Sequence, residues 1–212
     1  MNRLGKLFMA AAVAVLPVAC KDDVRKEADH AAENVQEQKE DLRDETGELK
    51  AAIKDQQENL ADHAKADSDT MRAVNEKQLE HNANEISDES KDVAEQANEL
   101  RTADADFDIR RRERVTQLRF VHGVAASQPM LINAISGVTQ LTDKARADLA
   151  EKMQVFQMRV DEAGNAIEAL QATEAADFES RNDAAAKAMD RLEDSRENAW
   201  EALNDGDRIE AS

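Results

Sequence analysis

The sequence predicts an all-α fold, an elongated antiparallel helical bundle or coiled coil with a long N-terminal helix. Two observations lead to this prediction. The 212-residue chain has only six Gly and two Pro, no Tyr, and 35% charged residues, a composition typical of long helices rather than of a globular mixed fold. Its apolar residues also recur at helical spacing, in segments separated by residues that favour helix ends.

The most regular segment lies between residues 131 and 170. Its apolar residues are Leu131, Ile135, Val138, Leu149, Met153, Phe156, Val160, Ala163, Ile167 and Leu170. From Leu149 onward they alternate steps of four and three, which is the pattern of a helix with one narrow apolar seam. Such a seam is buried only against other helices, so partner helices are expected and Phe156 and Val160 should lie between them.

The first twenty residues have the features of a targeting segment. Two basic residues precede an apolar run from 7 to 18, and Cys20 is the single cysteine of the chain. The run is too short to span a membrane and is typical of a secretory signal. The residues Leu16-Pro17-Val18-Ala19-Cys20 resemble the lipobox of bacterial lipoproteins. An ordinary signal peptide with an unrelated cysteine is the alternative.

The lipobox resemblance implies a cellular address. Residues 1–19 would be a lipoprotein signal peptide, and Cys20 would become the lipid-carrying first residue of the mature protein. The residue after Cys20 is Lys21 rather than Asp, which implies the outer membrane, facing the periplasm, rather than the inner membrane. Because lipidation consumes the only thiol, it would also exclude disulfides and cysteine catalysis.

Residues 20–82 are expected to form an acidic long helix or tether. Apolar residues are sparse there but recur every seven positions at Ala28, Val35, Leu42 and Leu49. The alternative is a disordered spacer, because residues 21–106 carry 12 basic and 26 acidic residues with few apolar ones. A break or kink is expected at residues 67–70 or 81–84, where residues that cap or weaken helices cluster.

Residues 83–205 are expected to form an antiparallel three-helix coiled-coil bundle, and residues 206–212 a tail. The first helix of this bundle is expected to end in a hairpin at Ser127-Gln128-Pro129, because proline is tolerated only in the first turn of a helix. The second helix should then continue through Thr142-Asp143 to a cap at Thr173-Glu174. In this register Phe107 would lie near Leu149 or Met153. Gly206 is expected to end the last helix as a left-handed cap.

Four arginines form the one basic cluster downstream of the targeting segment: Arg110, Arg111, Arg112 and Arg114. One interpretation is structural, in which they pair with carboxylates on neighbouring helices. The other is functional, in which they form a docking patch for an anionic partner.

Several functions are excluded or disfavoured. The formal net charge of −18 is unsuited to nucleic acid, whose binding needs basic surface. The acids at Asp104, Asp106 and Asp108 begin like a calcium loop, but Ile109 stands where glycine must turn the chain. No cofactor, metal site or catalytic motif is recognised, so no enzyme is expected.

The sequence therefore predicts a lipid-anchored structural or interaction protein of the bacterial envelope. It would act as a spacer, a scaffold or a coiled-coil binding module. Its partners would be the membrane, through the lipid on Cys20, and another protein or a second copy of the chain, through its helices. The alternative is a lipid-binding or protective amphipathic helical protein, resembling apolipoproteins or chaperones.

Overall fold

The computed structural model describes the backbone of residues 19–65 and 69–206. This part of the chain forms four helices: α1 (Ala19–Lys65), α2 (Asp69–Val138), α3 (Asp143–Gln171) and α4 (Ala175–Asp205). The predicted all-α helical bundle is confirmed. The proposed signal peptide lies outside the described residues except for Ala19, and so does the tail after Gly206.

The helices follow one another in antiparallel pairs. Glu27 of α1 meets Arg110 of α2, and Glu45 meets Glu89 farther along, so residue numbers rise on α1 as they fall on α2. Helix α3 returns along the second half of α2, and α4 returns along α3. Helix α1 packs against α2 and α4.

The helix lengths divide the molecule into two parts. Helix α2 has 70 residues, whereas α3 has 29 and α4 has 31. At 1.5 Å per residue α2 extends about 105 Å, and the α3–α4 pair about 45 Å. The pair can therefore flank less than half of α2. We call the remainder, residues 36–65 of α1 with residues 69–100 of α2, the arm.

The core of the bundle contains the seam that the spacing predicts. Leu149, Phe156, Val160, Ala163, Ile167 and Leu170 are all buried. Phe156 is completely enclosed, together with Phe178 and Leu192 of α4. These side chains supply most of the apolar area whose removal from water stabilises helices of this kind.

The hairpin predicted at residues 127–129 is wrong, because α2 continues through Pro129. Proline removes one helical hydrogen bond and crowds the carbonyl of Ala125, at a cost of about 3 kcal/mol. Packing offsets this cost: Ala125 and Ile132 are buried on either side of it, and Trp200 Nε1 donates to Gln128 Oε1 at 2.7 Å.

The chain reverses after Val138 instead, at residues 139–142, where a continuous helix was expected. Thr142 caps α3 by accepting a hydrogen bond from the amide of Ala145 at 3.3 Å, the contact that favours Thr at this position. The early part of the predicted seam is consequently wrong. Leu131 and Val138 are exposed, and Ile132 is buried in their place.

The new register also changes the partner of Phe107. Its ring lies edge-on to Phe178 of α4, with centroids 5.2 Å apart, rather than near Leu149 or Met153. The register differs because α2 continues past Pro129 to Val138, which moves the chain reversal to residues 139–142.

The other predicted helix boundaries agree with the structure only in part. The break near residues 67–70 and the turn at Thr173-Glu174 are confirmed, since α1 ends at Lys65, α2 begins at Asp69 and α4 follows residue 174. The predicted border between residues 82 and 83 falls inside α2, which is continuous there. Gly206 follows α4, but its φ of −58° is not the left-handed conformation that was expected.

Candidate functional site

A buried polar junction joins α1, α2 and α4. Arg114 of α2 is only 3% exposed, and its Nε donates to Asn182 Oδ1 at 2.9 Å. Asn182 of α4 is completely buried, and its Nδ2 donates to Asp29 Oδ1 of α1 at 2.8 Å. One amide thus connects a buried cation to a carboxylate on the third helix. Because such groups are costly to bury without partners, the junction specifies one register of the three helices.

Other contacts between helices surround this junction. Arg25 of α1 forms an ion pair with Asp183 of α4. Arg110 Nη1 lies 2.8 Å from Glu27 Oε2, and the nearby Glu27 charge raises the pKa of Arg110, with a further contribution from its hydrogen bond to Glu113. The start of α1 is thereby held against both α2 and α4.

Arg111 connects α2 with the turn between α3 and α4. Its Nη1 donates to the Thr173 carbonyl at 2.7 Å, and its Nη2 donates to Asp108 Oδ1 at 2.7 Å. Its guanidinium carbon also lies 5.4 Å from the centre of the Phe107 ring, within the range of a cation–π contact. These contacts of Arg111 hold the turn between α3 and α4 against α2.

The four arginines of the cluster therefore differ in their contacts. Arg110 pairs with a carboxylate on a neighbouring helix, Glu27, as the structural interpretation expected, whereas Arg111 binds the Thr173 carbonyl and Arg114 the Asn182 amide. Arg112 is exposed and lines an open surface groove with Ile109 and Thr116. The docking role stays a prediction, and the Arg112 side chain is the one most accessible to a partner.

The arm has a seam that is half apolar and half polar. On α2 one seven-residue series is apolar: Leu79, Ile86, Val93 and Leu100. The adjacent series, which also faces α1, is polar: Asn75, Asn82, Glu89 and Gln96. In a stable coiled coil both series are apolar, so this seam is much weaker than that of the bundle.

Most buried polar atoms without a hydrogen-bond partner in the described chain lie in the arm. Six are there, namely Gln36 Nε2, Gln38 Oε1, Gln56 Oε1, Asn82 Nδ2, Glu89 Oε2 and Gln96 Oε1, and a seventh is Arg196 Nε of α4. Each unpaired buried atom of this kind costs about 1–3 kcal/mol. The two helices of the arm thus leave hydrogen-bonding capacity unused.

An acidic cluster lies where α1 and α2 meet in the arm. Carboxylate oxygens of Glu45, Glu89 and Asp92 lie within 4.8 Å of one another. Burial raises the pKa of Glu45 and that of Glu89, and the charge of Glu48 raises both further. Carboxylates are ligands for hard cations, but exposed acidic groups often cluster without one. The charges of these carboxylates repel one another where α1 and α2 meet.

This cluster was not predicted from the sequence, because its members are distant in the chain. A signal was nevertheless present: Glu89 falls three residues after Ile86 and four before Val93, which is a seam position. An acid at such a position indicates a polar layer between two helices.

The structure places Cys20 in the first turn of α1, beside the part of α2 that follows the arginine cluster; its side chain is not among those described. Within the described residues, no helix combines the length and the apolar character needed to cross a membrane.

No known protein family matches the chain, and neither a curated protein nor a solved structure is significantly similar to it.

Proposed function

We propose that this chain is a lipid-anchored structural and interaction protein of the bacterial envelope, without catalytic activity. The lipid on Cys20 holds it at the outer membrane, on the periplasmic side. The arm is the segment that contacts a protein partner. Support for the anchor comes from the lipobox resemblance, and support for the interaction role comes from the arm.

The observation that carries the interaction role is the incomplete seam of the arm. A pair of helices with six buried, unpartnered polar atoms gains free energy when further helices supply donors and acceptors. Partner helices that lie along the arm would do this and would exclude water from the seam. At 1.5 Å per residue, the 30 residues of α1 in the arm offer about 45 Å of contact length.

Exposed apolar side chains on the arm favour the same role. Ile53 and Leu60 of α1 and Val74 of α2 are all exposed. Single exposed apolar residues are ordinary on a protein surface. Here they lie on the part of the molecule that the bundle does not flank, so a helical partner could bury them.

A photo-crosslinking amino acid at position 60 tests the role of the arm in intact cells. The matched control is position 158 on α3, because Leu60 and Met158 are equally exposed, at 51% and 52%. We expect adducts of discrete mass from position 60 and none from position 158. Equal labelling at the two positions, or none at either, would contradict an arm that binds a partner.

The second candidate is a lipid-binding or protective amphipathic protein, and the weak seam of the arm also favours it. In that case the arm would open and rearrange on a lipid surface. Energy transfer between labels on α1 and α2 of the arm, with and without phospholipid vesicles, separates the two functions. The interaction arm keeps its energy transfer when vesicles are added, whereas an opening arm loses it.

A further inference from the structure

Helix α2 presents a second regular stripe, which faces solvent. It consists of Phe120, Val124, Ser127, Leu131, Ala134 and Val138, all of them exposed. These residues alternate steps of four and three, so they form one narrow face of the helix. The stripe is apolar except for one hydroxyl. We call it the α2 stripe.

The stripe lies in the longest uncharged run of the chain. No Asp, Glu, Lys or Arg occurs from residue 120 to residue 142, although 35% of all residues are charged. An exposed helix in a strongly acidic protein ordinarily carries charge on its solvent side. The absence of charged residues here indicates a surface that becomes buried against a partner or a membrane.

The stripe continues the side of α2 that faces α1. Val124, Leu131 and Val138 belong to the same seven-residue series as Glu89 in the arm and Arg110 at the junction. Arg110 contacts α1 directly, through Glu27. The stripe therefore continues this side of α2 past the first described residue of α1.

The position of Cys20 shows what lies next to the stripe. Because α1 and α2 are antiparallel and Glu27 meets Arg110, Cys20 lies level with Gln117, seven residues away on each helix. Phe120 is three residues, about 4.5 Å, past that level. A lipid on Cys20 would enter the membrane at the start of the stripe.

We propose that the α2 stripe contacts the same membrane that holds the lipid of Cys20, with α2 inclined so that residues 120–138 reach the bilayer while α1, which covers the same side of α2 from Cys20 onward, stays outside it. This inference depends on the lipid anchor of the proposed function. An uncharged, apolar helix face beside the anchor adds buried apolar area to the membrane contact that the acyl chains already make. The acidic arm then points away from the anchor.

A second copy of the chain is a less suitable occupant. Two chains that each carry a net charge of −18 repel one another. A single helix stripe of this length also buries well under the roughly 800 Å² per partner of a standard stable interface.

The test uses the full lipidated chain, in which Cys20 leaves no free thiol. Single variants Val124→Cys and Val138→Cys receive a bimane label in phosphatidylcholine vesicles. Val74→Cys is the matched control, because Val74 lies on the same helix in the arm and is 62% exposed, against 48% for Val124 and 85% for Val138. Doxyl-labelled lipid and aqueous iodide serve as quenchers.

We expect doxyl lipid to quench the label at 124 and at 138 at least threefold more than at 74, and iodide to show the reverse order. Labels at 124 and 138 that iodide quenches as strongly as at 74 would overturn the inference. Protection from both quenchers would also overturn it, because it indicates a protein contact.

Vesicle flotation of the wild-type chain separates this inference from the proposed function. A chain that does not float has no anchor, which overturns the anchor and the inference together. A chain that floats while labels at 124 and 138 stay in water overturns the inference alone.

Discussion

Asn182 of α4 accepts a 2.9 Å hydrogen bond from Arg114 of α2, and both side chains are buried. The same Asn182 donates to Asp29 of α1, so this one amide connects three helices. We expect Asn182→Ala to lower the free energy of unfolding by about 1–3 kcal/mol, because it leaves buried polar groups without partners. Urea denaturation measures the change.

The control for this prediction is Asn198→Ala, also on α4. Asn198 is exposed, and its side chain donates only to the Asp194 carbonyl, at 2.7 Å. We expect a change within about 0.5 kcal/mol. Equal losses in the two variants would mean that the junction does not hold the helices together.

Phe156 tests the packing of the bundle. Its ring is completely buried in the seam of α3, so Phe156→Ala should cost about 3–5 kcal/mol of unfolding free energy. Phe120→Ala is the matched control, because Phe120 is exposed on α2 and its loss should cost less than about 0.5 kcal/mol. A loss below about 1 kcal/mol at Phe156 would indicate a loosely packed core.

The acidic cluster predicts that the arm becomes more stable as the pH falls. Folding raises the pKa of Glu45 and of Glu89 above the ordinary value of 4.5, so the folded arm binds protons more readily than the unfolded chain. A raised carboxyl pKa contributes stability that is complete below the ordinary pKa and is lost as the pH rises through the folded pKa. Between pH 7 and pH 5 the arm of the wild-type chain should therefore gain protection.

Hydrogen exchange of arm amides, corrected for intrinsic rates, measures this gain at the two pH values. The variant Glu45→Gln with Glu89→Gln should be better protected at pH 7 and should respond less to pH. Glu58→Gln is the control on the same arm, since Glu58 is paired with Lys54 at 3.5 Å and lies outside the cluster. An unchanged pH response in the double variant would refute the role of the cluster.

Asn82 tests whether the polar seam specifies the pairing of the arm. Its Nδ2 is buried without a partner, so Asn82→Leu should stabilise the arm by about 1 kcal/mol. The same change should relax the choice of partner, because polar seam residues restrict register and oligomeric state. Light scattering should then show additional oligomers, whereas Asn84→Leu, at an exposed position, should change stability by less than about 0.5 kcal/mol. A destabilised Asn82→Leu chain would contradict this account of the seam.

Local spacing was sufficient to predict some elements and not others. The seam from Leu149 to Leu170 and the turn after it were predictable, because their signals lie within one helix and its cap. Pro129 was not, because its local cost is offset by Ile132 and by the Trp200 contact, which come from tertiary packing. The turn before α3 was not predicted either, although its signal is local. Thr142 caps α3 and so determines where that helix begins.

The candidate site was less predictable than the fold. The arginine cluster was visible in the sequence, but Arg114 pairs with a residue of another helix, Asn182, which is 68 positions away in the chain. The meeting of Glu45 and Glu89 depends likewise on the register of α1 against α2. Predicting either contact requires knowing which helices are neighbours. The spacing of residues within one helix does not give that information.

The proposed function requires that the mature chain begins at a lipid-bearing Cys20. Mass spectrometry of the protein from native membranes, digested after glutamate, detects this lipid. We expect an N-terminal peptide from Cys20 to Glu27 that carries the mass of a diacylglyceryl group. An N-terminal peptide that begins before residue 20, or a peptide with an unmodified Cys20 thiol, would contradict it.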